Sequence, residues 1–441
     1  MKDDLFDNLL KKDSESFWKC WSSKLRHNTP KDITVNGSSD DKIIADAFAH
    51  HFQSVYCNSF DNAHAKSEFH NLFDTLEDTN PIDDLVTVQL VDSCIHKLKQ
   101  GKASGLDDIY AEHLLNAHPI LVVLLCRLFR DMLVHGYVPD DFGKGVIVPI
   151  LKEKLGDSND VSNYRGITLI PVISKLFELV LLDICMPFLG SDDLQFGFKK
   201  GLGCSNAIFL FQETIEYFLS RGSSIFVAAL DFQKAFDRIN FFKLFTSLIK
   251  SGLPRSVINI LLNWYINLSV CVKWGSTLST SFDVKSGVRQ GSVLSPALFN
   301  VFINVFIYEL KLCNYGCKMR GVFVGVIMYA DDLLLLSASV DGLQRMLNCC
   351  SELSAKALIN FNCKKSTCVI IGPASKCVVK DMKLGSDSIS WSNSFKYLGV
   401  CFSVSKKLFV DVSTIKQKKL LRATVYWPRL NVWTILSSLS C

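Results

Sequence analysis

Three aspartates stand where carboxylates are costly. Asp231 ends the apolar run SSIFVAAL (223–230), and Asp331 and Asp332 interrupt the apolar run VFVGVIMYADDLLLLSAS (322–339). An ionised carboxylate among apolar neighbours needs a cation, and two adjacent ones need it more. Carboxylate oxygens suit Mg2+ or Mn2+. Two such ions, about 3.5–4 Å apart, clamp the attacking and leaving oxygens of a phosphoryl transfer. Solvated aspartates in a hairpin turn are the plainer alternative for a lone pair, and a third acid on a second buried strand shifts the balance towards metal. All nine histidines lie between His27 and His135. Chemistry carried by 136–441 therefore has no histidine base or ligand, which excludes Ser-His-Asp and Cys-His mechanisms there.

The acids imply the elements that hold them. Residues 223–230 read as a buried strand, and 322–339 as a β-hairpin broken at the two acids. DFQKAFDRINFFKLFTSLIKSG (231–252) is a loop turning into a helix, and 283–310 is a strand, a glycine loop and an apolar helix. Upstream, GKGVIVPILKEK (143–154) is a strand ending in lysines, and 157–170 is a loop into a second strand. Pro171 opens a helix over 172–189, and the basic glycine-rich loop 196–206 leads to another over 207–222. FWKCWSSKL (17–25) and IIADAFAHHFQSVY (43–56) have helical apolar spacing, with turn-rich 28–41 between them.

Composition narrows the class. The chain has 441 residues, 49% hydrophobic and 21% charged, which suits two to three domains or subdomains and excludes a disordered or collagenous protein. The strongest apolar runs fall short of the roughly 18 residues of a membrane span, and the acidic N-terminus is no secretory leader, so no membrane is expected. The 16 cysteines contain no C-x-x-C. Cys313 and Cys317, the nearest to a metal pair, have no histidine after them, so no zinc site is expected. Scattered thiols without a leader suit an intracellular, reducing setting. Residues 1–100 carry 17 acidic against 11 basic residues, so the rest carries a net +11, a balance that suits a polyanion partner.

At these residues the sequence resembles a family. ALDFQKAFDRI (229–239), GVRQGSVLSPALFN (287–300) and YADD (329–332) look like motifs A, B and C of reverse transcriptases of the non-LTR (LINE-type) retrotransposon branch. YRGITLIPVISKLFE (164–178) resembles the second fingers motif, and QFGFKKGLGCSNAI (195–208) the block before motif A. FNCKKSTCVIIG (361–372) and FKYLGVCFS (395–403) resemble motifs D and E, and KLKQGKASGLDDI (97–109) the upstream block. The blocks run in family order over roughly 90–403.

The resemblance implies an α+β right-hand polymerase that copies an RNA template by adding dNTPs to a DNA primer. Asp231, Asp331 and Asp332, with the Phe232 carbonyl, would hold two Mg2+ ions (Mn2+ as substitute). Phe236 matches the aromatic gate against a ribose 2′-hydroxyl. Arg165 matches the residue that pairs with the triphosphate, as a guanidinium suits. Gln290 matches the glutamine beside the nucleotide, and Gly291 would let the backbone approach the template–primer. Lys365 matches the motif D lysine that protonates pyrophosphate, with Lys364 as register alternative. Asp237 recurs in motif A and reads as structural, capping or pairing locally. Tyr329 would pack under the primer end. Lys152, Lys154, Lys199 and Lys200 are expected along the nucleic-acid backbone.

The implied division is a linker-like helical extension over 1–89, helical and β fingers over 90–210, an antiparallel-sheet palm over 211–403 and the start of a truncated or divergent thumb over 404–441. The family's endonuclease and most of its thumb are expected to be lacking. Its site of action is nuclear, although no import signal is recognised. Three readings stay open: an RNA-directed DNA polymerase, an inactive relic that only binds RNA or other nucleic acid, and a two-metal nuclease, for which motif B and Phe236 have no purpose.

Overall fold

The computed structural model describes residues 34–57, 62–77, 83–152 and 157–411. Its helices include α1 (Asp41–Tyr56), α2 (Asn62–Asp74), α3 (Val88–His96), α4 (Ile120–His135), α5 (Val172–Cys185), α6 (Cys204–Leu219), α7 (Phe241–Lys250), α8 (Arg255–Ile266), α9 (Ser295–Cys313) and α10 (Val340–Ala357). Two sheets carry the architecture, which is α+β. The first joins β1 (Lys144–Leu151), β2 (Tyr164–Leu169), β4 (Ser269–Trp274), β5 (Thr277–Leu278) and β6 (Phe282–Asp283). β1 runs antiparallel to β2, with Val146 opposite Leu169, and parallel to β4, with Lys144 opposite Ser269. The second is built on β3 (Ile225–Asp231), β7 (Val326–Tyr329), β8 (Asp332–Ser337) and β9 (Thr367–Ile371), in the order β9-β3-β8-β7 with every neighbouring pair antiparallel.

β3 and β8 show no polar alternation because both faces of this sheet are covered. Phe226, Ala228, Leu230, Leu333 and Leu335 face one core, while Ile225, Val227, Leu334 and Leu336 face another. On the first face α9 stacks Leu298, Phe302, Phe306 and Leu310 at helical spacing, all buried. α9 has 19 residues and is apolar enough by length to cross a membrane, but half of it is buried inside the protein. On the second face α6 places Phe211 against Phe395 and Phe402, at ring distances of 5.9 and 5.6 Å. Those two rings come from the hairpin β10 (Ser394–Tyr397) and β11 (Val400–Val404).

Three expectations change. The hairpin over 322–339 is shorter than its apolar run: Val322–Phe323 pairs back on Lys318–Met319 instead, and Gly325 lies against Gly316, where a Cβ would sit 2.4 Å from the Gly316 Cα. The linker-like reading of 1–89 does not hold for α1 and α2. Asp40 caps α1 by accepting from the Lys42 and Ile43 amides. Phe48 then stacks on Trp274 at 5.1 Å and meets Tyr164 edge-on at 4.8 Å. α2 buries Phe69 against Phe242 and Phe245 of α7, beside a 2.6 Å Glu68–Lys243 ion pair. The helical stripe Ile44, Phe48, Phe52, Tyr56 is the face that docks. Finally, the first sheet takes strands from both sides of residue 210, so that boundary is no seam. The FWKCWSSKL segment and residues 412–441 lie outside the described residues.

Candidate active site

Strand register brings the acids together. Asp231, the last residue of β3, lies opposite Asp332, the first of β8. Asp332 in turn pairs with Tyr329, which leaves Ala330 and Asp331 as a two-residue loop. Ala330 holds φ +54°, a conformation this position usually gives to glycine. A buried side chain holds the loop there. The Ala330 amide donates to Gln195 Oε1 at 2.9 Å, and Gln195 Nε2 donates to the Ala330 carbonyl at 3.3 Å. Gly197 comes so close that a Cβ would lie 2.3 Å from the Ala330 nitrogen.

The charges are unfavourable as they stand. Burial, then Asp331 and Asp231, push the Asp332 carboxyl up to about 6, against the pull of Arg165 and Lys396. Asp331 is raised by burial first and by Asp231. Asp231 is raised by burial, with Lys365 and Asn362 opposing. Among the described residues none of the three forms an ion pair, nor do any three His, Cys, Asp or Glu side chains close around one point. Like charges without a cation repel, so convergence is what an ion would supply. The donors fit one: three oxygen-bearing acids on a shared edge, plus a carbonyl. Asn362 donates to the Asp231 carbonyl and Gln233 to the Asn360 carbonyl, so by antiparallel geometry the Phe232 carbonyl points away from that segment.

Beside the acids lies an aromatic shelf. Phe236 sits in the short turn Ala235–Asp237, its ring stacked on buried Phe299 at 4.2 Å and met edge-on by Phe198 at 5.7 Å. The next residue corrects an expectation. Asp237 does not pair locally; its Oδ1 accepts from Gln290 Nε2 at 2.7 Å, 53 residues away. The Tyr56 phenol of α1 is raised by burial first and then by the Asp237 charge. Burial raises Asp237 to about 6, against the Gln290 hydrogen bond and Lys234. Ser286 Oγ donates to the Tyr56 and Asp237 carbonyls, at 2.9 and 3.2 Å. α1 therefore braces the loop that presents Phe236 and Gln290.

Gly291 is also corrected. Its φ is +121°, and a Cβ there would sit 2.5 Å from the Thr168 carbonyl of β2. The close approach that demands glycine is to the protein's own strand, where the Thr168 amide donates to the Gln290 carbonyl at 2.7 Å. Gly291→Ala is expected to cost about 1–3 kcal/mol, read as a lower urea midpoint. An unchanged midpoint would mean that β2 moves aside freely.

The cations gather on one side. Arg165 is exposed on β2. Lys152 Nζ donates to the Ser162 carbonyl at 2.6 Å, and burial, then Lys365 and Arg165, lower its pKa. A cavity of about 410 Å3 is lined by Asp231, Asp332, Lys365, Lys396 and Tyr397. Lys365 rather than Lys364 lines it. Lys199 leaves the expected backbone track: its ammonium donates to the Asp192 carbonyl at 2.5 Å and so ties down its own loop. Lys200 is exposed, and Lys154 lies outside the described residues. Tyr329 packs against the second core. The sequence reading missed Tyr56, Gln195, Phe198, Lys396 and Tyr397. The signal for the last two was the tight turn after them, where Leu398 and Gly399 both hold positive φ.

The sequence is similar to known proteins. The family model for reverse transcriptase (RNA-dependent DNA polymerase) matches residues 150–402. The Pol polyprotein from type-2 retrotransposable element R2DM of Drosophila melanogaster is 24% identical over 313 residues, 68% of this chain and 29% of that relative. The RNA-directed DNA polymerase from mobile element jockey of Drosophila funebris is 26% identical over 359 residues, 77% of this chain and 38% of the relative. The chain thus spans well under half the length of either. Among solved structures, a telomerase from Candida Tropicalis is 15% identical, with 62% of this chain and 56% of the other covered at a TM-score of 0.43. The family match runs from the end of β1 into β11 and takes in every strand that carries one of the three acids. By that match the chain belongs to the reverse transcriptase family, and by its relatives to the LINE-type branch of retrotransposon enzymes.

Proposed function

We propose that this chain is an RNA-directed DNA polymerase that extends a DNA primer with dNTPs on an RNA template. The observation that carries the reading is the register of Asp231 against Asp332, with Asp331 in the turn between β7 and β8. Asp231, Asp331, Asp332 and the Phe232 carbonyl would hold two Mg2+ ions, with Mn2+ as substitute. When bound, such ions would supply activation of the primer 3′-hydroxyl and offset charge on the triphosphate. Arg165 binds the triphosphate oxygens, and Lys152 lies along the nucleic-acid backbone. Lys365, on the cavity wall, holds the proton that pyrophosphate takes. Phe236 excludes a 2′-hydroxyl, Gln290 sits beside the nucleotide, and Tyr329 packs under the primer end. Lys200 follows the backbone. The pairing bases carry sequence, so the protein needs to read only duplex shape and phosphates. In this reading 90–210 supply fingers elements that share the first sheet with β4 to β6, 211–403 supply the palm, and the nucleus is the place of action.

Primer extension tests it. Purified protein with poly(rA)/oligo(dT), dTTP and Mg2+ is expected to extend the primer. EDTA, or an Asp331→Ala, Asp332→Ala double variant, is expected to abolish extension. Salt-sensitive duplex binding without extension would replace this reading with an RNA-binding relic. Strand cleavage without dNTP would replace it with a two-metal nuclease.

A further inference from the structure

Phe198 is out of place by ordinary rules. It holds φ +59°, a region a bulky side chain rarely enters, and it is 50% exposed. Neither burial nor backbone preference accounts for it. Strain of this kind persists only where the surroundings over-determine it, and here they do. Gln195 Oε1 accepts from the Gly197 amide at 2.8 Å and the Ala330 amide at 2.9 Å. Asn300 Nδ2 of α9 donates to the Gly197 carbonyl at 3.0 Å. The Phe196 amide donates to the Met328 carbonyl at 2.7 Å. The chain before Phe198 is thus bolted to the strand and turn that carry Asp331.

What the strained residue touches gives it a purpose. Its ring meets Phe236 edge-on at 5.7 Å and 87°, and the same Phe236 ring lies on Phe299 at 4.2 Å and 14°. Phe299 belongs to the rigid core, and Phe198 rides on the catalytic turn. Phe236 is therefore gripped between the two, and its distance from Asp331 is set through the 195–198 segment.

We propose that Phe198 is a positioning residue for sugar discrimination: it holds the Phe236 ring where that ring rejects a ribonucleotide. This rests on the reading of Phe236 as the gate. Removing the Phe198 ring would free Phe236 to turn aside and admit a 2′-hydroxyl.

The test compares kcat/KM for dTTP and UTP on poly(rA)/oligo(dT) in the full chain. Phe198→Gly suits the backbone at φ +59° and removes the ring without threatening the fold, which an unchanged or raised Tm would verify. It is expected to lower the dTTP-over-UTP preference by about two- to tenfold, the range an edge-to-face ring pair supports. The change should come mainly through a lower KM for UTP. Phe198→Tyr keeps the ring and should keep the preference. Phe236→Ala is the reference. If it relaxes the preference while Phe198→Gly does not, the proposal fails and the gate stands. If Phe236→Ala changes nothing, the gate reading fails and takes the proposal with it. Thermal stabilisation by dTTP against UTP, with primer–template and Mg2+, reads the same order without turnover.

Discussion

Asp332→Asn should raise the melting temperature of the metal-free protein at pH 7.5 while removing nucleotide incorporation. The Asp332 carboxyl is pushed up to about 6 by burial and by Asp331 and Asp231, against roughly 3.9 in an unfolded chain. A raised acid favours the fold when protonated. That contribution is complete below about pH 4 and is lost as the pH rises through about 6. At pH 7.5 the carboxylate therefore works against folding, by about 1–2 kcal/mol once its partial exposure is allowed for. Asparagine keeps the size and drops the charge, for a gain of about 2–4 °C per kcal/mol. The gain should vanish near pH 4. Mg2+ should stabilise the wild type more than the variant, because an ion favours the state that binds it. Incorporation should fall by about 10^3-fold or more, since metal charge stabilisation is worth several kcal/mol. Equal melting temperatures at pH 7.5, or a variant that still incorporates dTTP, would remove Asp332 from its assigned place.

A second substitution should damage the fold itself. Glu178 of α5 and Arg289 are buried together, with side chains 2% and 4% exposed, at 2.9 Å. Glu178 Oε1 also accepts from Ser292 Oγ at 2.7 Å, and Oε2 from the Val293 amide at 2.6 Å. The Arg289 guanidinium lies over Trp264 at 4.9 Å and donates to the Phe142 carbonyl at 3.3 Å. One carboxylate thus anchors both sides of the Gln290–Gly291 loop to a core helix. Glu178→Ala leaves a buried cation and two further donors unmatched, and should cost about 3–5 kcal/mol. The double variant Glu178→Leu, Arg289→Met removes both charges and should recover most of that loss. Urea midpoints of the three proteins decide it. A single variant within about 1 kcal/mol of wild type would mean that water reaches Arg289 and the pair is not the anchor.

The parts that a sequence reading could reach were those with local signatures. β3 and β8 announce themselves as apolar runs ended by acids, because a strand buried on both faces has no polar positions to spare. The turn at Ala330–Asp331 is marked by the break in such a run. What escaped reading is whatever depends on contact between distant segments. Asp237 looks like a local cap, yet its partner Gln290 lies five elements later. Tyr56 belongs to a helix that pattern alone leaves undocked, because β2, β4 and the Ser286 loop, all far away in sequence, define where it lands. Gln195 is a polar residue in a glycine-rich stretch, and nothing in that stretch says that it is buried under the catalytic turn. Lys199 reads as a phosphate contact by charge, although a neighbouring carbonyl claims it. Charge and periodicity identify elements; hydrogen-bond partners across a hundred residues do not follow from either.

The strand order of the second sheet has a consequence for how the molecule is made. β3 lies between β8 and β9, and both arrive much later in the chain. At roughly 5–20 residues per second, a ribosome needs about 7–28 s to pass from Asp231 to Ile371. Throughout that interval β3 is a fully apolar strand without one or both of its neighbours, which is the kind of segment that seeks pairing elsewhere. A nascent chain that stops between 337 and 367 carries all three acids and still leaves one edge of β3 open. The third acid therefore enters the chain before the strand that closes the open edge of β3. Incomplete chains would be expected to depend on chaperones, or to be cleared, before they could touch a nucleic acid.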